Sequence, residues 1–163
     1  MCLAAFTLTI VRSTCFLIQA VLSGLENYIH QDAIASCLTE FSQALANVDS
    51  LSQARIAHDR FLETLTQRLF FSDRLVSNCL NQILECATGL RRVVSALSKG
   101  IPLAERSELI ELISNETKRQ FRVLTHTLAA RSRLAKAPYA ARLLLKIDFT
   151  GFTDVLNRAA MKN

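Results

Sequence analysis

Three histidines, five cysteines and scattered carboxylates are the side chains that could do chemistry in this chain, and their spacing argues against it. His30, His58 and His126 lie far apart on different expected elements. The one acid–base neighbour pair, His58-Asp59 in "AHDRF", is adjacent in sequence. Adjacent helical side chains point about 100° apart, so the two cannot form a relay, and His58 reads as a helix-face residue at a packing edge. No HExxH, GxSxG or phosphate-cradling glycine loop occurs. The cysteines (2, 15, 37, 79 and 86) are odd in number and none are spaced CxxC. Cys79 and Cys86 are seven apart, on one helix face, which suits reduced packing cysteines rather than a metal pair. The residues therefore imply neither an enzyme nor a bound metal or cofactor.

Charge points to a binding role. The net charge is +5, yet residues 1–90 carry 5 Lys and Arg against 8 Asp and Glu, and residues 91–163 carry 14 against 6. A basic half suggests an acidic partner: a protein, a nucleic acid or an anionic membrane. Nucleic acid is disfavoured, because the basic half lacks interleaved exposed aromatics and a glycine-bearing helix-turn-helix joint. The first 25 residues are almost wholly apolar. As a signal peptide they carry Arg12 on the wrong side of the apolar run. As a membrane span they would place it near the bilayer centre at about 2.5–3.5 kcal/mol. A buried core helix fits them better.

These side chains must be positioned by helices. Half the residues are hydrophobic, with only 4 Gly and 2 Pro, which favours long helices over strands and turns. Phe16 to Asn47 reads as one long helix or two in line, with Ile34, Leu38, Phe41, Leu45 and Val48 as its apolar stripe. Ser50 and Gln53 have the form of a capping box, opening a helix whose inward row is Ala54, Ala57, Phe61, Leu65 and Leu69. Phe61 is expected to be core. Ser72 is the expected N-cap of the next helix, carried by Leu75, Cys79, Ile83, Ala87, Leu90, Val94 and Leu97 and ended by Gly100 and Pro102. A fourth helix from about Leu103 to Ala135 turns Leu109, Ile113, Phe121, Leu124 and Leu128 inward, and Pro138 opens a short fifth. The expected fold is all-α: an elongated antiparallel bundle of about five helices.

Three stretches, read in order, resemble one family. They are "LENYIHQDAIASCLTEF" (25–41), "SLSQARIAHDRFLETLTQRLFF" (50–71) and "LLLKIDFTGF" (143–152), with "CLNQIL" (79–84) in support. Together they are similar to the C-terminal domain of the gamma-tubulin complex components, the component 4 branch in particular. Residues 1–15 match poorly, and residues 16–163 correspond to that domain. The resemblance implies a cytoplasmic, cytoskeletal protein of the microtubule-organising centre, at centrosome or spindle pole. It would bind gamma-tubulin, associate with other complex components and support microtubule nucleation. Family members are much longer, so the chain is expected to be a fragment or a short form.

In the closing segment, Leu143 to Leu145 are expected to tuck the last helix onto the bundle, with Phe149 plugging its end. Asp148 is expected to cap the Thr150-Gly151 turn. If the resemblance holds, Arg131, Arg133 and Arg142 are the candidate gamma-tubulin contacts, with Phe152 as an apolar anchor. Two other readings remain open from sequence: a membrane-associated protein anchored by residues 1–25, and a generic helical adaptor.

Overall fold

The computed structural model of the chain describes residues 2–133 and 138–148. Among them there is no strand. The elements in order are α1 (Cys2–Asn27), a π segment (Tyr28–Ile34), α2 (Ala35–Ala46), α3 (Leu51–Arg68), α4 (Arg74–Ser98), a 3-10 turn (Leu103–Arg106), α5 (Ser107–Ser132) and α6 (Pro138–Ile147). Helix α1 runs through the π segment into α2 without a break, so five rods result, as expected. Residues 2–15 are simply the first turns of α1.

The row that buries α1 is Thr7, Val11, Thr14, Leu17 and Val21, continued by Tyr28 of the π segment. The buried threonines do not interrupt it; Thr14, for example, donates its hydroxyl back to the Ile10 carbonyl at 2.8 Å. By length and composition Ala5–Ala46 could cross a membrane. Here Leu17, Val21 and Tyr28 join the core with Val76, Ile83, Phe121, Leu124, Leu128, Leu143 and Ile147. A second cluster fills the other end of the bundle, from Val11 and Ile18 to Cys86, Leu90, Val93, Ile110 and Ile113. Helix α5 packs on α4, α6 and α1.

The sequence rows need correction in detail. Leu75, Val94 and Leu109 are exposed, and their immediate neighbours Val76, Val93 and Ile110 are buried instead. The true α4 row (76, 79, 83, 86, 90, 93) advances by three and four alternately. A row advancing mostly by fours drifts off the seam, because a helix turns once in 3.6 residues. The N-cap of α4 is Asp73, not Ser72: Asp73 Oδ1 accepts the Leu75 and Val76 N–H groups at 3.2 and 3.4 Å. Ser50 caps α3 as expected, and the Gln53 side chain reaches back to the Asp49 N–H.

Helices α2 and α3 form an arm rather than part of the core. They pack on each other and on the π segment. No residue of α3 is buried, and only Cys37 is in α2. The expected row, Ala54, Ala57, Phe61, Leu65 and Leu69, is half-buried throughout, with Phe61 against α2 and Leu69 against the core. Phe61 is nevertheless not core. It stacks on Phe41 with centroids 4.9 Å apart, and Leu38 and Leu45 of the expected stripe stay 47% and 40% exposed. Two helices alone can cover only the strip between them.

Both helix-to-helix stops after α3 and α4 use the same hydrogen-bond pair. Gly100 (φ 90) donates to Leu97 and Ile101 to Ala96. Phe70 (φ 59) donates to Gln67 and Phe71 to Thr66. Glycine is free to take that backbone; phenylalanine is not, and Phe70 is held there by burial against Tyr28 and Tyr139.

Candidate interaction surface at the base of the arm

Where the arm meets the body, side chains from four elements converge. Tyr28, in the π segment, is buried and donates its hydroxyl to the Arg68 carbonyl at 2.8 Å, satisfying one of the last orphan acceptors of α3. Burial, reinforced by Asp32, pushes its phenol well above the ordinary value. The Arg68 guanidinium in turn grips Glu40 of α2 through both carboxylate oxygens, at 2.7 and 2.9 Å. Asp32 faces α6, where Lys146 Nζ lies 3.2 Å from Oδ2 and Arg142 3.7 Å from Oδ1. Lys146 also donates to Gln31 Oε1 at 2.8 Å.

The three predicted arginines end up in different situations. Arg131 Nε donates to Asp73 Oδ2 at 2.8 Å, so it ties the end of α5 to the capped start of α4. Arg142 leaves 59% of its side chain exposed, and Arg133 is exposed at the end of α5. Two open recesses of about 380 and 360 Å3 flank Tyr139 and Gln67; Arg131 lines the first and Arg142 the second. Arg131 and Arg142 therefore share one face, whereas Arg133 lines neither recess.

The expected closing segment is only partly realised. Leu143 is buried and Leu144 packs at the core edge, but Leu145 is 71% exposed. Three consecutive helical residues span about 200°, so they cannot all face inward. The Asp148 N–H bonds the Leu144 carbonyl at 2.9 Å. Its expected turn partners Thr150 and Gly151, together with Phe149 and Phe152, lie outside the described residues.

The histidine and acid pair singled out in the sequence lies apart from this face, on α3. His58 Nδ1 sits 3.7 Å from Asp59 Oδ1, both side chains being mostly exposed, with Phe41 edge-on to the imidazole. Among the described residues no three His, Cys, Asp or Glu side chains gather as a metal would need. What the face offers is a set of charged and aromatic groups held by a rigid joint, which suits recognition of another macromolecule.

The sequence from residue 4 to residue 152, in which all these elements fall, matches the family described as gamma tubulin complex component C-terminal. The chain belongs to the gamma-tubulin complex component family. Among the family's members, Gamma-tubulin complex component 4 of mouse and of human are each 29% identical to it over 140 residues. The matched part is 81% of this chain and 20% of either relative. The chain thus spans about a fifth of the length of the curated components it matches. Sequence reasoning placed Tyr28 and Arg68 in family-like stretches without foreseeing the hydrogen bond between them. An aromatic hydroxyl in a buried row was the available signal, since such a group must find a partner. The Asp32, Glu40 and Arg68 pairings span 28 residues or more and left no local trace.

Proposed function

We propose that this chain binds gamma-tubulin as the C-terminal region of a gamma-tubulin complex component, supporting microtubule nucleation at microtubule-organising centres such as the centrosome or spindle pole. The observation that carries the reading is the family match over nearly the whole described bundle. Other components of the complex are its further partners, and neither catalysis, nucleic acid nor a membrane anchor is part of the reading. The docking surface runs from the end of α5 across Tyr139 to α6. Arg142 supplies its exposed cation and Arg131 its ion-paired edge; Arg133, exposed at the end of α5 beyond both recesses, and Phe152, outside the described residues, are the further candidates. Tyrosine and arginine suit such a role because planar side chains carry much interface energy.

Capture of purified gamma-tubulin by the chain tests this. Arg133→Glu with Arg142→Glu should weaken capture and flatten its salt dependence, while the helical signal in circular dichroism stays intact. Arg131→Glu is the poorer probe, because it sets a second carboxylate beside Asp73 and would disturb the fold. Undiminished capture by the folded double variant would move the docking surface elsewhere. No capture by the parent chain would favour a generic adaptor.

A further inference from the structure

Towards the other end of α4 from Asp73, helices α1 and α4 leave an open trench of about 370 Å3 between them. Its walls are Cys15, Ile18 and Leu22 on α1 and Ala87, Leu90 and Val94 on α4. Ile18 and Leu90 form a buried floor, whereas Cys15 and Val94 are exposed on the rim. Cations outnumber acids around it, although its own lining has one of each, Arg91 and Glu26. Arg91 lines this trench and also the neighbouring recess along α4, which contains Arg92 and Lys99 and no acid. Arg12 is exposed one turn before Cys15 on the same row of α1. None of these four cations has an ion pair among the described residues, and Glu26 is the one acid lining the trench.

We propose that this trench is a docking site for an acidic amphipathic helix of a partner protein, laid along the α1–α4 seam. The apolar floor takes the hydrophobic row of the helix, as in groove recognition of helices generally. Arg12, Arg91, Arg92 and Lys99 meet carboxylates on its flanks. The unpaired cations decide the sign of the partner. A floor lying between two helices receives a third helix at ordinary packing distance; a lipid surface, met by protruding apolar side chains such as Phe16 beside Cys15, is the competing occupant that the vesicles test. The surface is separate from the proposed gamma-tubulin face.

The full-length chain can be titrated with a fluorescent helical peptide of about 20 residues, some 30 Å long, carrying a leucine row flanked by glutamates. The same peptide with lysine for glutamate, and vesicles of phosphatidylserine and phosphatidylcholine, are the comparators. The acidic peptide alone should bind. Arg91→Glu with Lys99→Glu should weaken it by about tenfold or more, and added salt should weaken it too. Bound peptide should also slow alkylation of Cys15, read by peptide mass spectrometry, which needs no variant. Equal binding of the acidic and basic peptides, unchanged affinity in the folded double variant, or an unprotected Cys15 would each overturn the proposal. So would preferential binding to the vesicles. A dimer dissolved by the double charge reversal would instead give the trench to a second copy, and a Lys99–Lys162 amine crosslink in the monomer would give it to the chain's own C-terminus.

Discussion

Phe70 shows how a single residue can be held against its own backbone preference. A left-handed conformation costs an L-residue roughly 1–2 kcal/mol, and here burial against Tyr28 and Tyr139 offsets it. Phe70→Ala loses the ring and keeps the strain, whereas Phe70→Gly loses the ring and relieves the strain. In chemical denaturation the glycine variant should therefore be the more stable of the two by about 1 kcal/mol, the reverse of the usual order within a helix. An alanine variant as stable as the glycine one would mean the strain is absorbed elsewhere. Nothing local in the sequence reports a positive φ at Phe70. The arginines were legible as cations but not as partners: that Arg131 is committed to Asp73 depends on 58 residues of intervening chain.

At the scale of elements, Gly24 is the contact that sets how closely α6 lies on α1. A Cβ placed there would sit 2.6 Å from the Lys146 carbonyl oxygen and 3.0 Å from the Ile147 Cα, both backbone atoms that cannot swing aside. In an ordinary helix interior Gly→Ala stabilises by about 1 kcal/mol. Here Gly24→Ala should destabilise by about 1–3 kcal/mol, as overpacking does, and a raised melting temperature would contradict that close approach. The arm behaves oppositely. Phe61→Ala should cost only about half of the ~3–5 kcal/mol of a fully buried phenylalanine, because only α2 covers it. A loss in the full range, measured by urea denaturation, would mean that the arm is covered in solution. Helix existence, order and most stops were legible, since periodicity, Ser50, Gly100 and Pro138 are local signals. Which apolar rows are core was not, because α2–α3 and α4–α5 have similar periodicity and differ in what lies across from them.

For the whole molecule, the buried acids that are better left protonated set its response to alkali. Burial raises Tyr28 and the thiols of Cys37, Cys79 and Cys86 in the folded state. A raised folded value contributes stability that is complete below the unfolded value and is lost as pH rises through the folded one. The melting temperature should thus hold below the ordinary thiol value of 9.0 and fall above it. A flat profile into strong alkali would show these groups ionising in place. The π segment has a different consequence at this scale. Buried positions step from Tyr28 to Ala33, five residues, and then to Cys37, four more, and the Ala35 N–H reaches back to the His30 carbonyl. The segment is therefore a phase shifter between two stretches of one rod. Removing one residue from it would return the ladder to ordinary α spacing and swing the arm about 100° around the rod axis, with both helices still intact. Chains of this kind would aim their arms alike only if they count the same number of residues through that stretch, whatever those residues are.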